Sequence, residues 1–161
     1  MVTLCIEYLP SLSECLSRYG LQIQQVANGQ TIDGSFWGDS EAGLVGNQLI
    51  IRADTPLHSA LHEACHYICM DNNRRLGLHT DAGGDYDEEN AVCYQQILLS
   101  DYIKGYSGNQ MMKDMDQWGY SFRLGSAARW FNEDAQDALQ WLQQHKLVDQ
   151  LGQPTWQTRE K

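Results

Sequence analysis

The sequence predicts an α+β fold in a single domain, with a small antiparallel or mixed sheet near the N-terminus and a mostly helical remainder. Short apolar runs separated by glycine-containing turns fill the region between residues 21 and 52, as expected for strands. After residue 55, apolar side chains recur at helical spacing in several segments. A chain of 161 residues is long enough for one domain that buries a core without disulfide bonds.

The first 53 residues are predicted to form one helix and the sheet. Residues 11–19 carry apolar side chains at helical spacing, with Ser11 as a cap and Gly20 at the end. The strand-like runs are Leu21–Val26, Thr31–Trp37, Ala42–Val45 and Gln48–Arg52. The pair Gly46-Asn47 predicts a tight hairpin between the last two runs.

Residues 57–70 are predicted to form a helix, since an apolar stripe recurs there at spacings of four, three and four. This stripe consists of Leu57, Leu61, Ala64 and Ile68. Thr55-Pro56 provides a plausible start, because a hydroxyl can cap free N–H groups and proline fits the first helical turn.

This helix contains an HExxH motif, formed by residues 62–66. Four residues advance an α-helix by about 400°, so His62 and His66 lie one turn apart on one face and can bind a single metal ion. Glu63 points about 100° away, where a carboxylate can act as a general base without binding the metal. The motif indicates a metal-dependent hydrolase, and the alternative is a surface helix with two solvated histidines.

Two histidines alone make a weak zinc site, so a third ligand is expected from elsewhere in the chain. The acidic stretch Asp85–Glu89 opens a second predicted helix, residues 88–102, which also has apolar side chains at helical spacing. A carboxylate from this acidic stretch is the expected third ligand. Acidic residues also suit a helix N-terminus electrostatically, so a purely structural role is the alternative.

These residues together resemble the zincin metallopeptidases, and within them the gluzincin-like enzymes, in which a glutamate from a following helix joins the HExxH histidines. The small intracellular bacterial regulatory metallopeptidases resemble the chain more closely than the thermolysin-like enzymes do. Their ligand glutamate stands in the pattern ExxA, followed ten and eleven residues later by two aliphatic residues. Glu88 fits this pattern, with Ala91, Leu98 and Leu99 at the required places, whereas Glu89 does not.

The resemblance implies a zinc-dependent peptidase with a peptide or protein substrate. His62, His66 and Glu88 would bind one Zn²⁺ ion, and Glu63 would be the general base toward water activated by the metal. An extended substrate would pair with an edge strand of the sheet, for which Asn47–Arg52 is the candidate and an ordinary core strand the alternative. The competing hypothesis is a catalytically silent zincin-like module that keeps its metal for structure or sensing and binds a partner protein.

Other polar residues near the motif are alternative ligands or donors. His58 extends the histidine ladder by one turn, although ligands spread over two turns do not easily converge on one ion. His79, Asp81 and Asp85 lie in the loop between the two helices, where they are either solvated or able to contact the ligand histidines. Candidate donors to an oxyanion are Tyr86, Tyr94, Tyr102, His79 and Arg123, among which the sequence does not select.

The C-terminal half is predicted to brace the two site helices. Residues 109–118 form one predicted helix, and residues 126–147 form another that is interrupted near Asn132. Trp118, Trp130 and Trp141 are either core residues or the wall of a substrate pocket. The domain thus comprises a helix and sheet (1–53), the site helices (54–104), the bracing helices (105–150) and a tail (151–161) that is expected to fray.

Composition limits the partners and the compartment. A net charge of −10 argues against nucleic acid or an anionic membrane as partner, since both are bound by clustered lysine and arginine. The N-terminus lacks a basic segment followed by an apolar stretch, so a cytoplasmic protein is expected. Five cysteines, an odd number, suit reduced thiols. Cys65, Cys69 and Cys93 are expected to pack between the site helices, with thiolate metal binding by Cys65 and Cys69 as the alternative.

Overall fold

A computed structural model describes residues 1–36, 38–80 and 82–161 and confirms the α+β class. A 3₁₀-helix, Cys5–Tyr8, is followed by α1 (Leu9–Ser17), β1 (Gln22–Gln25), β2 (Gly43–Val45), β3 (Gln48–Ile51), α2 (Leu57–Cys69), α3 (Asn72–Leu76), α4 (Tyr86–Ser100), α5 (Gly108–Trp118), α6 (Ala127–Glu133) and α7 (Gln136–Gln144). None of the described helices combines the length and apolar character needed to cross a bilayer.

The sheet is mixed, and β3 is its central strand, parallel to β1 and antiparallel to β2. The predicted hairpin is confirmed: Gly46-Asn47 joins β2 to β3, and Gly46 has a φ of 58°, which glycine adopts readily at the first central position of such a turn. The expectation that Asn47–Arg52 forms an edge strand was wrong. Both neighbours of β3 are strands of the sheet, so its backbone groups cannot pair with a substrate.

The predicted strand over Thr31–Trp37 was also wrong for residues 31–36, which form turns; Trp37 lies outside the described residues. The reason is a close backbone approach at Gly34. Its carbonyl accepts a hydrogen bond from the Leu44 N–H at 3.2 Å, and a Cβ on Gly34 would lie 2.4 Å from the Leu44 carbonyl oxygen. The Leu44 carbonyl in turn accepts from the Thr80 N–H at 3.0 Å, so the outer edge of β2 is covered at this residue.

Helix α2 is surrounded by the sheet, α4 and α5, and its predicted apolar stripe is completely buried. Thr55 does not cap it. The Thr55 hydroxyl accepts a hydrogen bond from the Arg52 N–H at 2.9 Å, and Pro56 occupies the N-cap position. Because α2 is buried on almost every side, the polar residues of its motif are held in place by packing rather than by solvent-exposed contacts.

The helices from α4 onward lie where the sequence predicts them, whereas α1 begins at Leu9, so Ser11 does not cap it. Helix α4 begins at Tyr86 because the Asp85 carboxylate accepts the Glu88 N–H at 2.9 Å. Gly119 ends α5 at a φ of 112°, and the predicted interruption near Asn132 separates α6 from α7. The short helix α3 was not predicted.

The C-terminal tail does not fray as expected. The Arg159 N–H donates to the Ile68 carbonyl at 2.9 Å, and the Glu160 carbonyl accepts from the Asn72 N–H at 3.1 Å. The tail therefore lies against the end of α2 and the start of α3. All five cysteines are buried free thiols, as predicted.

Candidate metal centre

The two motif histidines face one carboxylate from α4. His62 Nε2 lies 3.0 Å from Glu89 Oε1, and His66 Nε2 lies 3.1 Å from Glu89 Oε2. One ligand atom from each residue lies within 4.8 Å of the other two. Zinc binds nitrogen and oxygen donors at about 2 Å, so donors around one ion lie at most about 4 Å apart. Two imidazole nitrogens and a carboxylate at this spacing fit a zinc ion after small side-chain adjustments.

Glu88, the glutamate that the sequence favoured as third ligand, lies outside this cluster, whose carboxylate comes from Glu89. Glu88 is buried at 3% exposure and accepts hydrogen bonds from both Arg74 and Arg159, with Nη1–Oε1 distances of 2.9 and 3.0 Å. Gly84 packs over its carboxylate. Successive helical residues point about 100° apart, so only one of the two glutamates can face α2 while the other faces α3 and the tail.

Glu63 lies beside this cluster without joining it. Its side chain is 6% exposed and lines a cavity together with His62 and Glu89. Among the described residues, no side chain donates a hydrogen bond or forms an ion pair with its carboxylate. Burial raises the pKa of Glu63, and this outweighs the opposing effect of His66 and His62. A buried carboxylate that has no such partner among the described residues and lies beside a candidate metal cluster is a candidate general base.

The charges of the cluster depend on one another. Burial disfavours ionised Glu89, but hydrogen bonds from His62 and His66 outweigh it and hold the pKa of Glu89 well below its usual range. Burial likewise opposes protonation of His62, yet Tyr120, Cys93 and Glu89 raise its pKa. The carboxylate is therefore ionised at neutral pH, as a metal ligand must be.

Gln96 of α4 fixes the orientation of the His62 ring. Its side-chain N–H groups donate to the His58 carbonyl oxygen at 3.0 Å and face Met111 Sδ at 3.4 Å, which leaves its oxygen directed at His62 Nδ1, 2.9 Å away. An amide oxygen only accepts, so His62 Nδ1 carries the proton. In the neutral ring, the lone pair therefore lies on Nε2, the atom that faces Glu89.

We predict that Gln96→Leu lowers zinc affinity by about 10- to 100-fold, because the His62 tautomer and ring position lose their support. Gln95→Leu is the matched control: Gln95 is equally buried but contacts the Tyr19 hydroxyl, away from the cluster. Competition titration with a zinc chelator compares the two variants. An equal loss of affinity in both would show that Gln96 acts only through the packing of α4.

The other residues considered as ligands lie outside the cluster. His58 Nδ1 contacts the Tyr120 hydroxyl at 3.1 Å and its ring packs on Trp118, while burial, helped by His62, lowers the pKa of His58 to about 4. His79 pairs with Asp33 at 3.4 Å, and Asp85 caps α4. Cys65 and Cys69 are completely buried and are not part of the cluster. Asp81 lies outside the described residues.

The candidate oxyanion donors are scattered. Tyr102 packs on Trp156 and Tyr94 on Phe131, whereas Tyr86 and Arg123 line a cavity that also reaches Glu89. Arg123 is paired with Asp134. No single donor is selected by these contacts.

Tyr120 is a site residue that sequence reasoning missed. It lies in the irregular segment after Gly119, where no periodicity or motif marks it. Its ring packs against the His62 ring at 5.8 Å between centroids, and its hydroxyl is directed at His58. Tyr120 therefore packs against the face of α2 that carries His58 and His62.

Three cavities meet at Glu89. One of about 530 Å³ is bordered by Trp118, Glu41 and Glu63, and a second of about 530 Å³ is bordered by Tyr86, Trp130 and Trp141. A smaller one of about 220 Å³ reaches His66. All three tryptophans that the sequence singled out therefore line a cavity at the site. Trp130 is also a core residue, with only 5% of its surface exposed. A ligand chain can approach the cluster from more than one side.

Comparison with known proteins gives no relative from which to transfer a function: no family model, curated protein or solved structure matches the chain.

Proposed function

We propose that the protein is a zinc-dependent hydrolase that cleaves peptide bonds in a peptide or protein substrate. The convergence of His62, His66 and Glu89, with the buried carboxylate of Glu63 beside them, is the observation that supports this proposal. The zincin resemblance of the motif agrees with it, with Glu89 in place of Glu88 as the third ligand.

The three candidate ligands suit a catalytic zinc ion. Two neutral imidazoles and one carboxylate are the protein ligands of many catalytic zinc sites, and three ligands leave a fourth position open. A bound zinc ion would polarise the substrate carbonyl and lower the pKa of water. The cavities at Glu89 give substrate and water access to that position.

Glu63 performs the proton transfer in this proposal. Its carboxylate accepts a proton from the attacking water and returns it to the leaving amine nitrogen. Its raised pKa strengthens it as a base, and its position on the cavity wall keeps it free of the metal. Gln96 and Tyr120 meanwhile hold the His62 ring in place.

The test is the variant Glu63→Gln, which removes the base but keeps the shape of the side chain. We expect zinc content to stay at the wild-type level and peptide hydrolysis to fall by about 10²- to 10⁴-fold. Glu14→Gln, on the exposed face of α1, controls for loss of one negative charge. Hydrolysis at the wild-type rate by Glu63→Gln would contradict the proposed mechanism.

The second candidate function is a metal-bearing binding module without catalysis. It is favoured by the exposed aromatic side chains that border the cavities at the site, namely Tyr86 and Trp118. Exposed aromatic residues often mark protein contacts. A partner that is captured by the zinc-loaded protein and stays intact for hours would support this function, and cleavage of that partner would exclude it.

A further inference from the structure

The cavity between the metal cluster and Trp118 is lined by several acidic side chains. Asp39, Glu41, Glu63 and Glu89 line it, and no lysine or arginine is among its described lining residues. Glu89 is assigned to the metal and Glu63 to proton transfer. Asp39 is almost fully exposed and lies 3.9 Å from the Arg52 guanidinium. Glu41 is the carboxylate that neither the proposed reaction nor a basic partner accounts for.

Glu41 is placed beside the site by a contact of its neighbour in the chain. The N–H of the next residue, Ala42, donates to the Ser59 hydroxyl at 2.9 Å, which ties this segment to α2 one turn before His62. The Glu41 side chain and the Trp118 ring both line this cavity. The carboxylate is therefore placed at the same cavity wall as the indole.

Trp118 supplies a second feature that suits a cation. Trp118 is 46% exposed and lines the cavity, and its ring is packed against His58 at 4.8 Å between centroids. An indole face attracts lysine and arginine side chains, and a neighbouring carboxylate adds an ion pair.

We propose that this cavity is a specificity pocket for a lysine or arginine side chain of the substrate, held between the Trp118 ring and the Glu41 carboxylate. This inference rests on the proposed hydrolase function and adds the chemical class of substrate. The net charge of −10 would assist it by attracting basic polypeptides over a longer range.

The first experiment finds the cleavage preference. The zinc-loaded protein is incubated with a mixture of synthetic peptides of diverse sequence, and the cleavage sites are read by mass spectrometry. We expect lysine or arginine at one fixed position relative to the cleaved bond. In a matched series that varies only this position, kcat/KM for the lysine peptide should exceed that for the norleucine peptide at least about tenfold.

Charge-specific variants assign the preference to Glu41. Glu41→Gln should bring the ratio between the lysine and norleucine peptides close to one, while Glu14→Gln should keep the ratio of the wild-type protein. If the two peptides are cleaved equally well by the wild-type protein, or if a glutamate peptide is preferred, the pocket proposal is overturned and the hydrolase proposal stands.

A binding measurement separates the two proposals. The NMR signal of the Trp118 indole N–H, identified by its loss in Trp118→Phe, is followed during titration with N-acetyl-lysine methylamide and with its norleucine analogue. We expect a saturable shift with the lysine compound only, which Glu41→Gln abolishes. This shift without cleavage of any peptide would support the pocket and refute the hydrolase. Equal responses to both compounds would overturn the pocket.

Discussion

Glu89→Gln is expected to abolish high-affinity zinc binding while leaving the fold intact. The substitution removes the anionic donor that both His62 and His66 face. Loss of a residue that only supports a ligand lowers metal affinity about 10- to 100-fold. We therefore expect Glu89→Gln to lower zinc affinity by more than this. The Glu89 side chain is 49% exposed, so its ion pairs contribute at most about 1 kcal/mol to folding. Chelator competition and thermal unfolding without metal measure the two effects separately.

The matched control is Asp87→Asn, two residues earlier on α4, which removes the same charge from an exposed position outside the cluster. It should bind zinc as the wild-type protein does. If Glu89→Gln and Asp87→Asn have the same small effect, Glu89 is not a ligand, and the third donor must be sought elsewhere.

Glu88→Ala is expected to destabilise the protein by about 3 kcal/mol, since it leaves two partly buried guanidinium groups without their shared carboxylate. Arg74 comes from α3 and Arg159 from the tail, and their side chains are 32% and 17% exposed. Glu88 therefore links α4 both to α3 and to the tail. Urea denaturation of the metal-free protein measures the change in the free energy of unfolding.

An exposed ion pair provides the comparison. Glu133→Ala removes a carboxylate that pairs with Arg129 one turn earlier on α6, and this should change the free energy of unfolding by about 0.5 kcal/mol or less. Under conditions where Glu88→Ala is folded, it should retain its zinc affinity. A variant with normal stability and no zinc would instead restore Glu88 as the ligand.

The helices and the motif face were predictable because they depend on local spacing. Leu57, Leu61, Ala64 and Ile68 mark the buried side of α2, and the same spacing places His62 and His66 on a common face. The hairpin at Gly46-Asn47 follows from two adjacent residues. In each case the signal lies within one turn or one hairpin, where the sequence alone determines which side chains are neighbours.

The choice between Glu88 and Glu89 was not predictable from spacing. Both residues lie in the first turn of α4, and which of them faces α2 depends on how that helix is rotated against its neighbours. The deciding contacts come from Arg74, in a helix that the sequence did not reveal, and from Arg159, in a tail that was expected to fray. The sequence pattern that favoured Glu88 depends on apolar residues of α4 that face the core. It contains no information about Arg74 and Arg159, which bind Glu88.

The order of the strands was likewise beyond local analysis. The composition of Asn47–Arg52 suits an edge strand and a central strand equally well. It is central because it pairs with β1, more than twenty residues earlier in the chain, as well as with β2. Tyr120 and Glu41 were overlooked for a related reason. They stand in irregular segments, and they reach the site only because α5 and the sheet bring those segments to α2.

Metal analysis of the protein, purified without a histidine tag, tests the central claim most directly. Elemental analysis after dialysis should find one zinc ion per chain, and anomalous diffraction at the zinc edge should place it between His62, His66 and Glu89. Protein that contains no zinc after incubation with excess metal, with no anomalous peak at these three side chains, would contradict the account.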